Sequence, residues 1–116
     1  MGEAILKLKV QLYCGEEIAM GPGKADLLDA IARSGSISGA GRAMGMSYRR
    51  AWLLVDTMNR CFAAPLVKAQ SGSGARVTAA GEAALADYLA LAERTEHAAA
   101  GPAFDRLEKA IRKQPA

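Results

Sequence analysis

Between Gly35 and Phe62 the chain carries two helix-starting serines, Ser36 and Ser47, with Gly45 set between them. That punctuation leaves room only for a short helix, a tight turn and a longer helix. No other feature of the sequence constrains the fold as strongly. Ser34-Gly35 ends a preceding helix over about residues 24–33, because glycine takes the left-handed conformation at a helix end without strain. Leu27, Leu28 and Ile31 recur on one side of that helix, while Asp26, Asp29 and Arg33 face water, acids before base as the helix dipole favours. Ser36 is a good N-cap for a helix over 37–44 and Ser47 for one over 48–62. Gly39, Ala40 and Gly41 are tolerable in the short helix only where packing overrides propensity. Small Gly39, Ala40 and Ala43 permit another helix to cross closely. The longer helix has an apolar side of Ala51, Val55, Met58 and Phe62, widened by Trp52, and an opposite side of Arg49, Leu53, Asp56 and Arg60. Trp52 and Val55 are expected to anchor it inward.

The flanks add strands and more helix. From Ile5 to Leu12, apolar residues alternate with Lys7, Lys9 and Gln11, the period of a strand. Gly15 and two acids follow, and Ile18-Ala19-Met20 can return as a second hairpin arm. Pro65–Lys68 and Ala75–Thr78 are short strand candidates around the loop Ser71-Gly72-Ser73-Gly74. Thr78 can cap a long helix over 79–99 with an apolar stripe of Leu85, Tyr88, Leu89 and Ala92. Beyond Gly101-Pro102, a terminal helix carries Phe104, Leu107 and Ile111. The expected fold is therefore mostly α with small β: a winged helix-turn-helix with an N-terminal strand or hairpin and a long C-terminal helix. One domain over residues 1–116 is expected, with helices about 79–113 and their two stripes joining two copies into a homodimer.

Charge narrows the chemistry. From 24 to 76 the chain carries eight basic residues against three acidic ones, whereas each flank is slightly acidic. A positive central block is what a polyanion-binding surface needs. No apolar run reaches the roughly 18 residues that span a bilayer. The start, with Lys7 and Lys9 alternating, reads as no secretion signal, and no membrane association is expected. Cys14 and Cys61 make no disulfide framework and read as small, at least partly buried hydrophobes. Gly21-Pro22-Gly23-Lys24 lacks the spacing of a phosphate loop, and Ala25 stands where its hydroxyl belongs. His97 is the sole histidine, the cysteines are far apart, and no serine sits in a nucleophile setting. Neither an enzyme, a metal site nor a cofactor is expected.

Duplex DNA is the partner that suits this pattern. A helix braced by its two predecessors can lay its free side in a major groove about 12 Å wide. Arg49 and Arg50 stand in the first turn of that helix, where side chains reach deepest. An arginine fork matches the acceptors of a guanine edge; which of the two reads bases stays open, and either can clamp phosphate. Ser47 and Tyr48 are candidate phosphate or base-edge donors, and Leu53 can meet a thymine methyl or complete a core edge. Lys68 and Arg76 flank a wing, with Arg42 and Lys24 as further backbone contacts. The bland alternatives are a solvated arginine pair and an ordinary hairpin turn.

The stretch Ser34 to Trp52, SGSISGAGRAMGMSYRRAW, with Met58-Asn59 and Thr78-Ala79-Ala80-Gly81-Glu82, resembles the N-terminal DNA-binding domain of molybdate-responsive ModE-type regulators. More distantly it is similar to the winged helix-turn-helix of LysR-type regulators. The resemblance covers roughly residues 5 to 95. It implies binding to palindromic promoter DNA, dimerisation through the N-terminal strand and the long C-terminal helix, and a cytoplasmic location. It also implies DNA contacts at Ser36, Ser38, Ser47, Tyr48, Arg49 and Arg50, and from the wing. Molybdate-sensing members carry further oxyanion-binding domains; the sequence ends at Ala116 without them, so no molybdate binding is expected. The wing loop is also shorter than in some relatives. The competing expectation is a protein-interaction adaptor on the same fold, using Leu53 and Phe104 as its contact patch.

Overall fold

The computed structural model describes residues 4–116. Met1, Gly2 and Glu3, the first residues of the expected 1–116 domain, lie outside the described residues. Element order is β1 (Leu12–Cys14), β2 (Glu17–Met20), α1 (Pro22–Ser34), α2 (Ile37–Ala43), α3 (Tyr48–Cys61), β3 (Val67–Ala69), β4 (Ala75–Val77), α4 (Ala79–Ala99) and α5 (Pro102–Ala110). It is a mostly helical winged helix-turn-helix with two small antiparallel hairpins, β1-β2 and β3-β4, and a long C-terminal helix.

The caps form as their residue types demand. Gly35 takes φ 77° and returns its N–H to the Ile31 carbonyl. Ser36 accepts the Gly39 N–H at 2.9 Å, Ser47 the Arg50 N–H at 3.1 Å, and Thr78 the Gly81 N–H at 3.0 Å. Helix α1 begins two residues earlier than the sequence suggests. Pro22 occupies its first turn, where a missing N–H costs nothing. No acid then falls in that turn.

The core gathers around α1. Leu27, Leu28 and Ile31 are fully buried together with Met20, Met58 and Leu66, and Ala40, Ala51 and Val55 complete the contacts with α2 and α3. The α2–α3 crossing runs over Gly41, not over Gly39 or Ala43. A Cβ on Gly41 would stand 3.4 Å from that of Ala51 and 3.3 Å from the Met46 carbonyl oxygen. Gly39 instead leaves space for the Ser36 cap, and Ala43 is exposed.

Four further expectations are corrected. The N-terminal strand is confined to Leu12–Cys14, while Ile5, Leu6 and Leu8 are exposed in an unpaired stretch. Alternation alone cannot make a strand without an edge to pair with. The wing strands are shorter than expected because Leu66 turns into the core and Thr78 caps α4. Trp52 does not anchor α3 inward: it is 46% exposed, and Val55 and Met58 fill that role. Tyr88, placed on the outer stripe, is buried at 6% exposure and donates its hydroxyl to the Val10 carbonyl at 2.9 Å. Burial, reinforced by Asp26, holds its phenol above the usual range.

Candidate nucleic-acid interface

Helix α3 is held at its C-terminal end, and its opening turn stays free. At the C-terminal end Arg60 donates to both Glu17 oxygens at 2.8 Å and to Asp56 at 2.9 Å. The Arg60 hydrogen bonds, with the charge of that guanidinium, hold the Glu17 carboxyl below its ordinary range. One residue earlier, Asn59 fastens the wing: its Oδ1 accepts the Leu66 and Val67 N–H groups at 2.8 and 3.2 Å, and its Nδ2 donates to the Val67 carbonyl at 3.0 Å. Sequence reasoning noted Asn59 only within a resembling dipeptide. Its available signal was a polar residue placed next to buried Met58 on the inward half of an amphipathic helix.

At the N-terminal end the picture reverses. Ser47, Tyr48, Arg49, Arg50 and Leu53 are all exposed. The ion pairs among the described residues are Asp29–Arg33, Glu17–Arg60 and Asp56–Arg60. None engages the side chains of Arg42, Arg49, Arg50, Lys68 or Arg76. The hydroxyls of Ser36 and Ser47 already accept a backbone N–H, which leaves each an O–H to donate outward. Ser38 is half-buried and lines the cleft described next.

That cleft, of about 530 Å³, runs between α3 and the wing, lined by Tyr48, Trp52 and Val55 on one side and Val67, Ala69 and the Gly72–Ala75 stretch on the other. Sequence reasoning did not foresee it, having turned Trp52 inward. The wing itself is built on Gly72, with φ 72°, and on the Gln70 N–H bond to the Gly74 carbonyl. Its β4 strand is tied to the α1–α2 turn by the Ala75 N–H to the Gly35 carbonyl at 2.9 Å. Lys68 and Arg76 stand directly opposite one another in the ladder, both exposed. Like charges so placed repel unless an anion lies between or above them. Lys24, at the start of α1, is half-buried; desolvation first, and the charge of Arg50, push its ammonium below the usual range.

The expected self-association residues fall into two groups. Leu89, Leu107 and Ile111 are exposed, whereas Leu85, Ala92 and Phe104 are half-buried and Tyr88 is committed to its own chain. Among the described residues no cluster of His, Cys, Asp and Glu is placed to hold a metal, and no helix is long and apolar enough to cross a membrane.

Residues 24–82 match the model of the bacterial regulatory helix-turn-helix proteins of the LysR family. The molybdenum-pterin-binding proteins MopA and MopB of Rhodobacter capsulatus are similar, at 47% identity over 60% of this chain and 41% over 84%. The molybdenum transport protein ModE of Azotobacter vinelandii is 41% identical over 56% of it. The matched region spans 28%, 36% and 26% of those three relatives. Among solved structures, the DNA-binding domain of CbnR, crystallised with DNA, superposes with a TM-score of 0.56 at 22% identity. That match covers 78% of this chain and 97% of the CbnR domain, and it concerns the fold.

Proposed function

The chain belongs to the LysR family of bacterial regulatory helix-turn-helix proteins, transcription regulators and not enzymes, and from that premise we propose that it binds a palindromic duplex site as a cytoplasmic homodimer. The observation that carries this reading is the opening turn of α3. Arg49 and Arg50 stand exposed and without an acidic partner, on a helix whose other end is fixed by Arg60 and Asn59. One arginine of the pair reads a guanine edge and the other clamps phosphate, with Tyr48 and the Ser36, Ser38 and Ser47 hydroxyls as further donors. Leu53 faces base methyl groups. Lys68 and Arg76 grip the backbone flanking the groove, where a phosphate relieves their mutual repulsion, and Arg42 and Lys24 add phosphate contacts.

The homodimer rests on the apolar surface left uncovered along the N-terminal stretch, α4 and α5, where Leu89, Leu107 and Ile111 face outward. In such a dimer the two α3 helices enter successive major grooves about 34–36 Å apart. Molybdate binding is not assigned to these residues. The adaptor reading has less support, because Phe104 is half-buried and leaves Leu53 without the second half of its patch.

The test is selection of bound sequences from a random duplex pool, followed by affinity measurement across a salt series. A palindromic consensus is expected. With about 6–10 phosphates contacted, affinity should drop roughly 10³–10⁵-fold between 50 and 200 mM salt. No enrichment, or affinity indifferent to salt, would overturn the proposal.

A further inference from the structure

The two cysteines, far apart in sequence, meet where the β1-β2 hairpin crosses the C-terminal end of α3. Cys14 is the ladder partner of Glu17, Glu17 takes the Arg60 guanidinium on both oxygens, and Cys61 follows Arg60 as the last residue of α3. In that corner Cys61 has Cys14 as a neighbour near enough to act on its thiol. Both cysteines are free; Cys14 is exposed and Cys61 half-buried. The expectation of two small buried hydrophobes therefore fails for Cys14, whose thiol is open to solvent and to reagents.

We propose that Cys14 and Cys61 are a paired-thiol modification site, oxidised by a hydroperoxide to an intramolecular disulfide. Exposed Cys14 reacts first: its thiolate sulfur attacks the peroxide, an S–O bond forms as the O–O bond breaks, and an alcohol (or water, from hydrogen peroxide) leaves. Cys61 then attacks the resulting sulfenic acid; the S–S bond forms, the S–O bond breaks and water leaves. Two thiols and one hydroperoxide thus give one disulfide, one water and one alcohol, and the O–O bond accepts the two electrons that the sulfurs lose. This order of events matches the two environments. Burial first, and then the contact with Cys14, push the Cys61 thiol up, so it waits protonated as the resolving partner.

The bond would fasten covalently the same corner that Arg60 and Glu17 hold by charge. Arg49 and Arg50 lie at the other end of α3, about 18 Å away at 1.5 Å of rise per residue. Oxidation therefore stiffens the seat of α3 and leaves its opening turn unobstructed. The inference does not depend on the DNA-binding proposal.

The experiment treats the reduced full chain with hydrogen peroxide, alkylates the remaining thiols, and measures intact mass and disulfide-linked peptides. Loss of two hydrogens within a single chain, one cross-linked peptide joining Cys14 to Cys61, and a Tm raised by roughly 10 °C are expected. Cys61→Ser should accumulate a dimedone-trappable sulfenic acid on Cys14, and the untreated wild-type chain should bind phenylarsine oxide through both thiols at once. Chain-to-chain disulfides, independent oxidation of the two sulfurs, or no arsenical bound by the wild-type chain would overturn the proposal.

Discussion

Arg49 and Arg50 project from the opening turn of α3 into solvent with no acidic partner among the described residues, so their charges are free to meet an anion. Replacing either with alanine should weaken duplex binding about 10–100-fold, from the roughly 1–3 kcal/mol of a bidentate arginine–guanine pair. Titration of a labelled duplex measures this, and Tm should stay nearly unchanged because neither side chain makes a hydrogen bond or ion pair among the described residues. The partner that reads a base should also lose discrimination at one position of the site, whereas the phosphate partner should weaken all sequences alike. Asn59 behaves in the opposite way. Asn59→Ala strands the Leu66 and Val67 N–H groups and the Val67 carbonyl, so thermal unfolding should show a loss of roughly 1–3 kcal/mol.

At the scale of elements, what matters is how closely the wing, α3 and α4 are drawn together. A Cβ on Gly81 would collide with the Leu66 carbonyl oxygen and the Val77 side chain. Gly81→Ala should therefore push α4 off the base of the wing, at a cost of about 1–3 kcal/mol as in other overpacked sites. Gly23 is the control. It lies in α1 with nothing within 4 Å of a built Cβ, so Gly23→Ala should raise stability by about 0.5 kcal/mol. Differential scanning calorimetry separates the two signs. The hairpin–α3 tie adds a pH signature. Glu17, its carboxyl lowered chiefly by the Arg60 bond, contributes stability above the ordinary carboxylate pKa of about 4.3 and loses it as pH falls toward the depressed folded value. Wild type should thus lose Tm more steeply than Glu17→Gln over that acid range.

The whole molecule is longer than its residue count requires. Its radius of gyration is 17.4 Å and its extents 55 × 29 × 25 Å, against about 13 Å of radius for a compact chain of this size. The excess lies in α4 and α5, which extend past the core with Leu107 69% and Ile111 63% exposed. Ile5, Leu6 and Leu8 of the N-terminal stretch are exposed as well. In the proposed homodimer this surface is covered by the second copy. Replacing Leu107 and Ile111 with aspartate should give a folded monomer by sedimentation, with normal circular dichroism and markedly weaker binding to a palindromic duplex. A wild-type monomer at micromolar concentration would sink the dimer.

The helix-turn-helix was legible in the sequence because its boundaries are local. Ser36, Ser47 and Thr78 cap by reaching backbone N–H groups three residues on, and Gly35 and Gly45 end helices through their own φ angles, so no distant contact is needed to read them. The exposed arginine turn followed from the same register. What local pattern could not supply was anything set by partners far along the chain. Trp52 and Val55 both looked inward, and only the packed wing and α1 decided that Val55 is buried and Trp52 open. Tyr88 fitted an outer stripe until the Val10 carbonyl claimed its hydroxyl, and alternation from Ile5 to Leu12 promised a strand for which most of those residues find no edge. The Arg60–Glu17 bridge, the Asn59 clamp and the meeting of Cys14 with Cys61 likewise exist only once the hairpin is laid across α3. Backbone capping depends on neighbours in sequence; burial and pairing depend on neighbours in space.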